Sequence, residues 1–171
     1  MVGTHQGGGG TAGWETAPES WVSGLLDKTL SGSIYGSMVL KVRDYAFRDC
    51  KSLTSVIFEN CSFIGMYAFS NCWNLNTIFF PECCTIDADA FGYCSKLTNI
   101  SFSKCTRIGP RAFSNCWNLI EAYFPKCSNI EGSAFYKCSN LTSVYLPKCL
   151  ALGSYVFCSC SSLTTMTLPV C

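Results

Sequence analysis

Apolar positions along the chain recur with a period that neither a single helix nor a single strand explains. Phe47, Phe69, Phe91, Phe113, Phe135 and Phe157 follow one another at intervals of 22 residues, and Ala46, Ala68, Ala90, Ala112, Ala134 and Val156 precede them. Three residues after each phenylalanine (+3) stands Cys50, Cys72, Cys94, Cys116, Cys138 or Cys160. At +6 come Leu53, Leu75, Leu97, Leu119, Leu141 and Leu163. At +11 come Phe58, Phe80, Phe102, Phe124, Leu146 and Leu168, and at +14 Cys61, Cys83, Cys105, Cys127, Cys149 and Cys171. Ile64, Ile86, Ile108, Ile130 and Leu152 complete the pattern at +17, and no insertion breaks it. A fixed period of this length marks a repeat architecture. Within each unit the sequence apolar, Cys, Leu or Ile occurs twice, 11 residues apart. Two similar halves per unit predict a flattened coil with two walls and equivalent inward positions. These phenylalanines, leucines and cysteines are the expected core.

The stretch from +6 to +11, as in Leu141 to Leu146, alternates at +9 and +11 among β-branched and aromatic neighbours, which reads as a short strand. Pro81, Pro125, Pro147 and Pro169 follow it, and proline cannot donate to a central ladder. Gly65, Gly109 and Gly153 mark a turn on the far side, and the Ala-Phe segment is expected to form a short helical or 3₁₀ turn. Each coil then adds one strand to a parallel sheet, about 4.8 Å from the next. One unit cannot stand alone. Its inward side chains are worth about 1.5–3 kcal/mol each when buried, whereas each ordered residue costs about 1.5 kcal/mol. Stacking must supply the difference.

The unit Leu-x-x-Ile/Val-x-Phe/Leu-x-x-Cys matches the leucine-rich-repeat pattern, and the fuller unit IGPRAFSNCWNLIEAYFPKC (108–127) resembles the treponema-type leucine-rich repeats of BspA-like proteins. The resemblance covers about 40–171, in six in-phase copies. It implies a β-rich (α/β-type) leucine-rich-repeat solenoid and a surface-associated role in attachment. The segment 25–47 resembles the irregular lead-in to such arrays: Leu25 and Ile34 keep phase, while Gly36 and Val39 stand in for the Phe and Cys. The expected organisation is a Gly-rich linker over 1–13, an N-terminal cap with a degenerate first coil over 14–46, and six coils over 47–171. The last coil is incomplete and has no polar cap, so a fragment of a longer protein is expected, or an open end that makes end-to-end contact.

Composition narrows the chemistry. The net charge is +1 and charged residues are 13%, so nothing points to nucleic acid. No apolar run is long enough for a transmembrane helix, and the first residues lack the pattern of a signal peptide. The single histidine, His5, lies in the glycine tract, which excludes histidine catalysis within the repeats; the run at 7–10 lacks the Lys-Ser or Lys-Thr of a phosphate loop. Asp87 and Asp89 flank Ala88 and read as a solvated turn, with acid–base or calcium chemistry the alternative. Twelve of the 14 cysteines form the two rows, with Cys84 and Cys158 extra. Their spacing is not that of zinc motifs, and they read as buried free thiols, with in-register disulfides or a bound metal as alternatives. No catalytic residue, metal or cofactor is assigned.

If +9 and +11 point inward, +10 faces out. That row holds Ile57, Phe79, Ser101, Tyr123, Tyr145 and Thr167, and Lys104, Lys126 and Lys148 follow at +13. Phe79, the two tyrosines and the three lysines are the candidate contacts for a protein or glycan ligand. Aromatics covering a sheet whose margin lysines protect are the plainer alternative. Trp73 and Trp117 at +4 are expected to pack on the turns; if exposed, they are sugar-stacking or interface residues. The expected function is a non-catalytic recognition or adhesion module, at the cell surface or secreted. A virion or prophage tail protein, the repeat region of a larger enzyme and a passive spacer are the alternatives.

Overall fold

The computed structural model describes residues 30–169, and the expected linker over 1–13, the first part of the cap, Val170 and Cys171 lie outside the described residues. Among the described residues thirteen short strands follow one another around a solenoid. One wall carries β1 (Gly32–Tyr35), β3 (Leu53–Ile57), β5 (Thr77–Phe79), β7 (Asn99–Ser101), β9 (Glu121–Tyr123), β11 (Ser143–Tyr145) and β13 (Thr165–Thr167). The other carries β2 (Lys41–Val42), β4 (Phe63–Ile64), β6 (Thr85–Ile86), β8 (Arg107–Ile108), β10 (Asn129–Ile130) and β12 (Ala151–Leu152). The even strands make one six-stranded sheet; the odd ones make two, β1-β3-β5 and β7-β9-β11-β13. Every strand pairing among the described residues is parallel and, from β3 onward, joins residues one period apart, as Val144 with Ala122 and Ile130 with Ile108.

Two points correct the sequence reading. First, each coil contributes two strands, because the +17 row pairs with the neighbouring coil: the Gly65 N–H donates to the Val42 carbonyl at 2.9 Å, and the Gly109 N–H to that of Ile86 at 2.8 Å. Second, no helix occurs among the described residues, and the Ala-Phe segment is a chain of turns. Its N–H groups alternate in purpose. Those of Tyr45, Phe47 and Asp49 donate to Met66, Ala68 and Ser70 in the next coil, while those of Ala46, Arg48 and Cys50 donate three residues back. A helix would turn every N–H inward, whereas here half of them hold coils together. Left-handed residues on either side of each phenylalanine make the alternation work. Tyr67 and Asn71 flank Phe69 at φ 54° and 62°, and Arg111 and Asn115 flank Phe113 at 53° and 58°.

The core is a pair of interlocked phenylalanine ladders. Phe47, Phe69, Phe91, Phe113, Phe135 and Phe157 stack nearly parallel with centroids 5.0–5.5 Å apart. Phe58, Phe80, Phe102 and Phe124 form the second ladder and meet the first at tilted or edge-on angles, as Phe80 meets Phe91 at 66°. Offset and edge contacts suit ring quadrupoles, so the ladders add to plain area burial. Leu53, Leu75, Leu97, Leu119 and Leu141 are buried beside them. Phe157, Cys160 and Leu163 are only partly buried, which departs from their place in the expected core. Each inner residue is covered by a coil on both sides, and among the described residues these three are covered by the coil of Phe135 alone. The degenerate first coil still packs. Gly36 stands where later coils have phenylalanine, and a Cβ there would lie 3.1 Å from the Phe58 ring, so its absence makes room for that ring.

Candidate recognition surface

Alternation on the odd-numbered wall sorts side chains by face, except in β13, where Met166 of the inward row is also exposed. Val56, Ile100, Ala122 and Val144 are buried, while Phe79, Ser101, Tyr123 and Tyr145 between them and the ladder are exposed. Parallel pairing in register then sets Ser101, Tyr123, Tyr145 and Thr167 side by side across β7, β9, β11 and β13. Tyr123 and Tyr145 stack at 4.9 Å with their planes 8° apart. A shallow cavity of about 250 Å³ lies over them, lined also by Glu121, Ser143, Thr165 and Thr167. Glu121, one strand position before Tyr123, is a wall residue that the sequence reading did not single out; its place at +8 was the available signal.

The other candidates divide. Phe79 is exposed but sits on β5, in the other sheet of this wall, with Tyr35 and Ile57 in its row. It is therefore not continuous with the tyrosine pair. Lys104, Lys126 and Lys148 are all exposed. Lys104 is drawn to Glu82, its Nζ 2.7 Å from Oε1, which removes it from the basic stripe. Lys126 and Lys148 have no ionic partner among the described residues, and they are the cations that remain beside the tyrosines.

Two further expectations are corrected. Asp89 is not solvated: it is buried in a left-handed turn, and Arg111 grips both of its oxygens at 2.8–3.1 Å. That carboxylate pushes the Arg111 pKa up, through hydrogen bonds first and charge second. Asp87 meets Arg107 at 3.9 Å and accepts the Ala88 N–H. Both carboxylates are thus used in cross-coil and local bonds. The tryptophans do not bury themselves on the turns either, since Trp73 and Trp117 remain about half exposed.

The cysteine rows are internal. Sγ of Cys72, Cys94, Cys116 and Cys138 donates to the carbonyl of the phenylalanine 25 residues earlier at 3.1–3.2 Å. The second row, Cys61, Cys83, Cys105 and Cys127, bonds the carbonyl two residues on at 3.2–3.4 Å. All described cysteines are free thiols, and only Cys84 and Cys158 are exposed. Burial pushes Cys61 up to about 11 and Cys116 up to about 12. Such thiols carry no thiolate near neutrality and are poor nucleophiles and metal ligands. Among the described residues no cluster of three His, Cys, Asp or Glu could hold a metal ion, and no helix is long and apolar enough to cross a membrane.

Two walls of short parallel strands, a row of leucines buried from Leu53 to Leu141 and a cysteine at each turn define a leucine-rich-repeat solenoid. The chain belongs to the BspA type leucine-rich-repeat family, whose model of the BspA type leucine rich repeat region in six copies matches residues 28–142 and 85–170. Among solved structures, a leucine rich cell surface protein from Faecalibacterium prausnitzii A2-165 is similar at 28% identity and a TM-score of 0.71, with 81% of this chain and 39% of that chain covered. The chain therefore spans less than half the length of that protein. The T. pallidum leucine rich repeat protein shares the fold at 22% identity and a TM-score of 0.60, with 78% of each chain covered. A search of curated proteins gives no match.

Proposed function

We propose that this chain is a non-catalytic recognition module that attaches its bearer to proteins outside the cell through the β7–β13 face. The observation that carries the reading is the stacked Tyr123–Tyr145 pair. Two rigid aromatic rings exposed in register cover a large contact area at little entropic cost, because each ring has few torsions to freeze. Glu121 on one side and Lys126 and Lys148 on the other supply the polar rim that specific interfaces have. The free lysines favour an acidic partner surface and speed its approach at low salt. Support for the location comes from the similar Faecalibacterium protein, described as a cell surface protein.

The test is adherence. Beads coated with the chain are exposed to immobilised extracellular-matrix glycoproteins, with wild type beside the Tyr123→Ala, Tyr145→Ala double variant. Saturable binding to at least one of them is expected, weakened at least tenfold in the double variant, as loss of two contacts worth about 1 kcal/mol or more each requires. Equal binding by both forms rejects this face.

A further inference from the structure

A second aromatic group stands where the turns meet the odd-numbered wall. The +4 row reads Lys51, Trp73, Ser95, Trp117, Ser139. Trp73 and Trp117 are 48% and 47% exposed. They stand two coils apart, about 10 Å by the spacing of parallel strands, and the coil between them has only the small Ser95 at the equivalent position. Lys51 places its Nζ 4.3 Å from the centroid of the Trp73 ring and closes that end. Tyr93 meets Trp117 edge-on at 6.4 Å and braces it. Amides lie beside both rings. Asn74 donates to the Lys51 carbonyl at 2.8 Å and Asn118 to the Ser95 carbonyl at 2.7 Å, which fixes their planes. The +4 and +5 positions hold no carboxylate from Lys51 to Asn140.

These features select one kind of ligand. Flat apolar rings set singly, with polar groups between them, do not make the contiguous apolar centre of a protein interface. They suit a ligand with an apolar face, hydroxyls around its edge and a regular repeat. A pyranose ring has such a face and edge. In an extended β-1,4-linked chain alternate sugars turn the same face the same way, and platforms on alternate coils match that repeat. The neutral to weakly basic surroundings fit an uncharged polymer. We propose that Trp73 and Trp117 form a platform for an extended, neutral, β-linked polysaccharide lying along the solenoid axis. This site is separate from the tyrosine pair and does not depend on it.

The experiment is calorimetric titration of the whole chain with cellobiose, cellohexaose, chitobiose and chitohexaose. A hexasaccharide reaches both rings and a disaccharide only one. The longer sugar of at least one series is therefore expected to bind about threefold to tenfold tighter, the worth of one further aromatic contact. Trp117→Ala should bring hexasaccharide affinity down to the disaccharide level, Trp117→Phe should keep most of it, and the Tyr123→Ala, Tyr145→Ala variant should bind as wild type. No binding by any of the four sugars overturns the proposal. So does equal affinity for short and long sugars, or hexasaccharide binding that Trp117→Ala leaves unchanged or the tyrosine variant removes. If Trp117→Ala does not melt like wild type, the length dependence in the unaltered protein and the Trp117→Phe variant decide.

Discussion

A cysteine at +3 meets three demands that few side chains meet together. It is small enough for the narrow turn, apolar enough for full burial, and able to donate weakly to a carbonyl. Cys116 donates to Phe91, whose carbonyl already accepts the Cys94 N–H. Packing and hydrogen bonding thus account for the row without redox chemistry. The residue scale yields a direct prediction. In the native protein a small alkylating agent should modify Cys84 and Cys158 quickly and Cys160 slowly, leaving the ten buried cysteines unmodified until denaturant is added. Mass spectrometry counts the adducts. Rapid native modification of Cys94 or Cys116 would contradict their burial. The sequence made the cysteine rows visible as a period, but not their bonding partners, because an S–H reaching a carbonyl 25 residues back depends on how coils stack. Asp89 was misread for the same reason: its partner Arg111 lies one coil away, at an equivalent position.

The element scale turns on the short strands and turns. The leucine and phenylalanine rows told where the odd-numbered strands run, since alternation at +9 and +11 is the strand period. The even-numbered strands are two residues long, too short for any alternation to register, and only the pairing reveals them. Turn conformation was equally hidden. Left-handed residues include Asn71 and Asn115, which tolerate that region, but also Tyr67, Arg111 and Lys137, which give no cue. Glycines in the turns act by close approach rather than by φ. A Cβ on Gly109 would fall 2.8 Å from the backbone of Asp87 and Ala88, and backbone cannot yield as a side chain does. At Gly92 the nearest atom lies at 3.4 Å, an ordinary contact. Gly109→Ala should therefore cost about 1–3 kcal/mol, as overpacking does. Gly92→Ala should fall within about 0.5 kcal/mol of wild type. Urea denaturation of both variants measures the difference, and equal stabilities would mean that adjacent coils are not in that contact.

At the scale of the whole molecule, stability is shared along one continuous core and depends on pH through the thiols. An unfolded thiol titrates at its ordinary value of 9.0, while burial holds Cys61 to about 11 and Cys116 to about 12. The buried form is raised, so its contribution is complete below pH 9 and is lost as pH climbs from 9 toward those values. Each such thiol removes about 1.4 kcal/mol per pH unit in that window. Cys94 is shifted the same way by burial, so the losses add. Circular dichroism at rising pH should show one cooperative unfolding transition above pH 9, set by the thiols, and a stability unchanged to pH 11 would contradict it. The fold was thus legible at molecular scale from one period and its inward rows. The exposed tyrosine row was legible in the sequence, but its limits were not. The break between β5 and β7 separates Phe79 from it, and the Lys104–Glu82 pair shortens the basic stripe.

All of these scales meet in the claim that the chain presents its tyrosine wall outside the cell. An antibody raised to the repeats, applied to intact source cells, to lysed cells and to any particles released, tests it most directly. Label is expected on the surface of intact cells. Label that emerges only after lysis, or only on released phage-like particles, would contradict it.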